Sequence, residues 1–179
     1  MKFEISNVFT GIDRNQYIAL FLDKDFNDYL ESHLPVRERK EIERTDDGVT
    51  ITRKLRIDYG KKLPAAAAKV VGADYIYYFE TSRFRRGNYS LEWEVAPSVM
   101  QDKITSRGTI TLFEAGEKKV RRVLGGELRI KIFGVGRLVE KRIVEGVERK
   151  YREIAEMTQA YINEKVLTGE VEIKLPEGV

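Results

Sequence analysis

The sequence has no cysteine and a single histidine. Without thiols there are no disulfides, no thiolate nucleophile and no zinc–thiolate cluster. With one imidazole, neither a histidine-built metal site nor a Ser/His/Asp triad has a natural centre. That residue, His33, precedes Leu34-Pro35 at the end of a helical pattern, where an imidazolium favours the terminal carbonyls. No catalytic residue, metal or cofactor is therefore expected. Charge of one sign is also lacking: 32 Lys and Arg stand against 29 Asp and Glu, a net +3, which is no footprint for a nucleic acid. No window approaches the roughly 18 apolar residues of a membrane span. The first residues, Met1 to Ile5, hold no apolar run of signal-peptide length. A soluble, cytoplasmic protein is the expectation, with no transmembrane segment and only a transient membrane contact left open; the oligomeric state is unknown.

What is present is a globular composition, 42% hydrophobic and 34% charged over 179 residues. That suits one domain, with a core over 2–165 and a tail over 166–179. The longest pattern runs from Gly134 to Lys165. Val135, Leu138, Val139, Ile143, Val147, Ile154, Met157 (or Thr158), Tyr161 and Ile162 recur at three and four residues and share one face of a helix. A helix of about thirty residues spans roughly 45 Å. Nothing else in the chain is long enough to pair with it, so its stripe must lie on a sheet.

Lys2 to Thr10 alternates as a half-buried strand. Asp13 caps a helix to about Leu22, and a second short helix runs from Asp25 until Pro35 stops it. Val36–Arg44 and Val49–Asp58 flank an Asp47-Gly48 hairpin turn. A two-turn helix is expected from Pro64 to Gly72, docked at the mouth of the sheet. Four antiparallel strands follow, Asp74–Arg85, Asn88–Ala96, Gln101–Phe113 and Lys118–Phe133. Gly125-Gly126 in the last suggests a bulge or strong bend, and Gly134-Val135-Gly136 a tight strand-to-helix turn. Glu170 to Pro176 reads as a short strand or a loose tail.

Strand, two short helices, six antiparallel strands and a long terminal helix is the order of the helix-grip fold, α+β with a curved sheet of about seven strands. The chain thus resembles the START-like superfamily (SRPBCC), which holds START lipid-transfer domains, polyketide cyclases and the birch-pollen allergen type. Within it, Lys54-Leu55, Leu63-Pro64, Lys69-Val70-Val71-Gly72, Tyr78-Phe79-Glu80-Thr81, Gly108-Thr109-Ile110 and Phe133 to Glu140 are similar to a bacterial family of unknown function. The resemblance implies a cavity between helix and sheet for an apolar small molecule, lipid-like or polyketide-like. It does not imply an enzyme.

Inward parity nominates Ile51, Arg53, Leu55, Tyr89, Leu91, Trp93, Ser106, Gly108 and Ile110 from the strands, with Phe3, Ile104, Leu128 and Ile130 beside them. Ile143, Ile154 and Met157 face them from the helix. Whether each lines a space or fills a solid core stays open; Ser106, Gly108, Gly125-Gly126 and Gly146 remove volume in favour of a space. Glu38 and Lys40 are polar cavity candidates if Val36 and Ile42 face in, and an enclosed Glu38 would then need Arg53 or Lys40 as partner. Glu92 and Glu94, on the parity opposite Trp93, face solvent, as do Arg83 to Arg86 and Arg121-Arg122. Three functions remain: a binder or carrier of an apolar molecule, a cyclase or hydrolase using inward tyrosines and a Glu38/Arg53 pair, and an interaction domain with a filled core.

Overall fold

The computed structural model describes residues 1–63, 65, 68, 69, 72–132 and 136–174, without the side chain of Leu138. Seven strands form one antiparallel sheet: β1 (Lys2–Thr10), β2 (Glu38–Asp46), β3 (Thr50–Lys62), β4 (Tyr75–Arg85), β5 (Ser90–Pro97), β6 (Ile104–Gly116) and β7 (Lys119–Ile130). Their spatial order is β1-β7-β6-β5-β4-β3-β2, so strands β2 to β7 lie side by side in chain order, β3 and β4 being joined by the longer segment 63–74, and β1 closes the far side on β7. Between β1 and β2 come α1 (Arg14–Leu22) and α2 (Lys24–His33). The long helix α3 (Gly136–Tyr161) follows β7 and ends in a wider π turn over Ile162–Val166.

The caps explain where the short helices begin. Asp13 accepts from the Gln16 backbone N–H at 2.9 Å while the Gln16 side chain accepts from the Asp13 N–H at 3.1 Å, a reciprocal capping box. Asp23 accepts from the Phe26 N–H at 2.8 Å, so α2 starts at Lys24, one residue earlier than expected. At its end the His33 ring lies against Tyr29, with Nδ1 2.8 Å from the Tyr29 carbonyl oxygen. The β2–β3 turn is the predicted one: Gly48 takes φ +83°, and Asp47 Oδ1 accepts from the Val49 and Thr50 N–H groups.

Three expectations change. Gly125 and Gly126 keep unbroken register with both β1 and β6, so there is no bulge there. A Cβ on Gly126 would stand 2.5 Å from Trp93 Cζ2 and 2.7 Å from Phe3 Cζ; glycine is required for close approach of those rings. The irregularity lies instead between Glu114 and Gly116. In β2 the register shifts between Glu41 and Glu43, which makes Ile42 the extra residue and leaves it exposed. The parity argument that put Glu38 and Lys40 inside depended on Ile42 and fails with it. Finally, residues 170–174 form no strand: the Val171 N–H bonds the Lys165 carbonyl, and Val171 and Ile173 pack on the main core.

Most of the short Pro64–Gly72 helix and the Gly134-Val135 turn lie outside the described residues. Gly72 has the left-handed φ of +70° expected of a helix end, its N–H on the Ala68 carbonyl at 2.8 Å. The Gly136 N–H reaches the Ile132 carbonyl at 3.0 Å, as a tight turn into α3 requires.

The main core joins α1, α2, the end of α3 and the inner faces of β1 and β3 to β7 around Phe9, Leu20, Phe84, Leu91, Leu124 and Ile162. A smaller cluster, Leu128, Ile130 and Val144, seats the start of α3. There Glu140 accepts from the Ile130 N–H at 2.8 Å, a bond that holds its carboxyl below the usual range. Helix α3 contacts β1, β7 and α2. It thus grips one side of the curved sheet and leaves the concave faces of β3, β4 and β5 facing it across a gap.

Candidate ligand-binding site

That gap is a space of about 540 Å³, within the roughly 300 to 1,000 Å³ typical of small-molecule sites. Its apolar part is made by Phe3, Trp93, Val95, Ile104, Leu124 and Leu128 from the sheet, opposite Ile143 and Val147 of α3. Ser106 and Gly146 also line it, and nothing lies within 4 Å of where a Cβ on Gly146 would stand. Toward the buried end the lining turns polar, with Tyr59, Tyr78, Glu80, Lys150 and Tyr151. Ile57, Tyr59, Glu80, Lys150 and Tyr151 also border a second, inner chamber of about 120 Å³ between α1, α2, α3 and the sheet.

The residues nominated from sequence separate into three groups. Trp93, Ser106 and Ile143 line the larger space, and Ile110 and Ile154 the inner chamber. Ile51, Leu55 and Leu91 are buried in side-chain packing, Met157 packs on the main core, and Tyr89 lies at its edge under the Arg14 guanidinium, 3.7 Å from its ring centroid. Gly108 does not widen the space: a Cβ there would run into the Gly125 carbonyl oxygen and stand 2.8 Å from Trp93 Cζ2. Near the start of α3 Val144 is buried, 6% exposed, while its neighbour Ile143 is 39% exposed at the mouth of the space. The helix is rotated slightly from the stripe drawn through Ile143 because its first turns seat on Leu128 and Ile130.

Glu38 pairs with Arg56 at the sheet edge and Lys40 is exposed. Arg53 is sealed, 1% exposed. Its Nη1 donates to the Phe21 carbonyl at 2.7 Å and to Asn27 Oδ1 at 3.3 Å, with the guanidinium 4.2 Å from the Phe21 ring centroid. The Glu38/Arg53 pair of the enzymatic alternative is not assembled. Glu92 and Glu94 are exposed as expected.

Sequence reading missed the polar end. Arg122, taken with Arg121 as a solvated pair, is 4% exposed. It donates to Tyr17 Oη at 2.9 Å and to Asn7 Oδ1 at 2.6 Å. Its parity with Val120, Leu124 and Leu128 was the available signal. Tyr151 falls between Val147 and Ile154 at helical spacing and faces inward with them. Burial, with Glu80 adding to it, pushes its hydroxyl far above the usual tyrosine range; burial also raises Tyr59 and Tyr78. All three stay neutral hydrogen-bonding groups. Glu80 could not be placed from β4 alone, because Tyr75, Tyr77 and Phe79 alternate with Ile76, Tyr78 and Glu80; pairing with Leu55 and Val95 puts it inside.

Residues 8–162 match the family described as protein of unknown function (DUF2505). The chain belongs to this family. No functionally curated protein matches it in sequence. Among solved structures, the fold is similar to a START superfamily protein from Mycobacterium smegmatis, with TM-score 0.55 and 11% identity over 91% of this chain and 97% of that one. The Zhui aromatase/cyclase from Streptomyces sp. R1128 has TM-score 0.60 and 10% identity over 93% and 96%. Norcoclaurine synthase from Thalictrum flavum has TM-score 0.56 and 14% identity over 92% and 88%. The fold is therefore the START-like helix grip. Among the described residues no helix is long and apolar enough to cross a membrane, and no group of acidic or histidine side chains could hold a metal ion.

Proposed function

We propose that this protein binds or carries an apolar small molecule, lipid-like or polyketide-like, within the cytoplasm, and that the molecule occupies the space between α3 and the concave sheet. The observation that carries this reading is the 540 Å³ space itself, with its mainly apolar wall and Gly146 opening onto it. A core evolved only for stability is packed to crystal-like density; a volume of this size beside intact packing on both sides is what a ligand fills. The Thalictrum flavum norcoclaurine synthase, seen with dopamine and hydroxybenzaldehyde, is a case of this fold taking small aromatic molecules. A cyclase or hydrolase working in the same space is the second reading, favoured by Glu80 and the neutral Tyr59 and Tyr151 at its buried end.

Native mass spectrometry of the purified protein, followed by organic extraction, tests the reading directly. Nile red, a neutral apolar dye, is expected to bind and brighten, and Gly146→Leu to reduce that binding sharply while thermal stability holds. Equal dye binding by both proteins, with no co-purifying small molecule, overturns it.

A further inference from the structure

The inner chamber carries an imbalance of charge. Arg39 and Arg122 line it, Arg53 lies just behind it through Asn27, and Glu80 is the one carboxylate in its wall. Lys150 also borders it, but it is paired with Glu153 at 2.8 Å. Among the described residues none of the three guanidinium groups forms an ion pair. Arg39 Nη1 and Arg53 Nη1 both donate to the same neutral atom, Asn27 Oδ1, and Arg122 donates to a phenol and an amide. Buried N–H groups remain unpartnered at Arg122 Nε and at Arg53 Nε and Nη2. Glu80 makes no hydrogen bond or ion pair among the described residues. Enclosed ions are costly unless paired, and three cations around a roughly 120 Å³ volume with one carboxylate leave a positive field focused inside a low-dielectric wall. The space holds a few water molecules or one small charged group, and it shares Ile57, Tyr59, Glu80, Lys150 and Tyr151 with the lining of the apolar space.

Resting on the carrier reading, we infer that the ligand is an amphipathic acid: its carboxylate enters the inner chamber toward Arg39 and Arg122, and its apolar body fills the larger space. Tyr17 Oη, already accepting from Arg122, and Tyr151 supply hydroxyls beside the head. Glu80 is then not the anchor but the group that limits affinity, a negative charge that partly balances the three arginines when no ligand is bound.

The test compares dodecanoic acid, dodecan-1-ol and dodecylamine as displacers of Nile red at neutral pH. Dodecanoate is expected to bind about tenfold more tightly than the alcohol, the worth of one charge-assisted hydrogen bond, and the amine most weakly. Arg39→Gln should erase the preference for the acid while leaving the alcohol unchanged, and the near-isosteric Glu80→Gln should strengthen acid binding. Circular dichroism checks that both variants are folded. Equal affinities for the three chains leave the carrier reading standing and overturn this one. So does a preference for the amine that is lost in Glu80→Gln, which would make Glu80 the anchor. Failure of all three to displace the dye removes both.

Discussion

Arg39 and Arg53 share a single acceptor, Asn27 Oδ1, at 2.7 and 3.3 Å. Burial, and after it the repulsion from the like charge of Arg39, lowers the Arg53 pKa to about 10, still high enough for it to remain charged at neutral pH. Asn27 also donates to the Asp23 carbonyl at 2.5 Å and the Phe21 carbonyl at 3.2 Å, so it is the knot between α1, α2 and β3. Asn27→Ala is expected to destabilise the fold by about 1 to 3 kcal/mol, the range for stranding buried polar partners. Urea unfolding measures this; a loss no larger than at an exposed control site on α2, such as Asp28→Ala, contradicts it.

Gly108 and Gly146 should respond oppositely to alanine. The first has no room, with the Gly125 carbonyl and the Trp93 ring in the way, and Gly108→Ala should cost about 1 to 3 kcal/mol through overpacking. The second opens onto empty space, and Gly146→Ala should gain up to about 1 kcal/mol from helix propensity. Thermal melts of the two variants decide this, and matching shifts would mean that the gap is not where the fold places it.

Asp46 and Arg86 form a bidentate pair at 2.6 Å that ties the β2–β3 turn to the β4–β5 turn. The Arg86 hydrogen bond, followed by one from the Gly48 N–H, lowers the Asp46 pKa from 3.8 to about 2. A carboxylate depressed in the folded state contributes stability above its unfolded pKa and loses it as pH falls through the folded one. Stability should therefore drop between about pH 4 and pH 2, and drop less steeply in Asp46→Asn. Unfolding midpoints measured across that window check the difference in slope.

Tyr151 titrates above the ordinary tyrosine value of 10, with burial as the main cause. In an alkaline absorbance titration, Tyr151→Phe should superimpose on the parent protein through about one unit above that value, where ordinary phenols have largely ionised. An early-ionising phenol missing from the variant would place the Tyr151 hydroxyl in water.

The outer frame of the molecule was legible because its signals are local. Asp13 and Pro35 bound the helical arm, Asp47-Gly48 makes the hairpin turn, and Tyr89 to Val95 alternate so strictly that Trp93 could face only inward. The site was less legible. Glu38 and Lys40 were drawn inside by counting through Ile42, but a bulge resets the count, and a bulge in a charged edge strand leaves no mark in the residue pattern. Arg122 was assigned to solvent by its charge although its parity pointed in.

The sequence by itself determined the order of elements, the antiparallel connections and the presence of one long amphipathic helix facing a sheet, since each follows from turn chemistry and a period of two or 3.6 residues. Only the tertiary structure decided which side of the sheet α3 rests on. That choice, made by Val144 seating on Leu128 and Ile130, separates residues that pack from residues that line the gap. It likewise decided that Arg39, Arg53, Arg122 and Glu80 converge. They come from four strands at distant points in the chain, and the net charge inside a cavity is a property of their meeting, which no local pattern records.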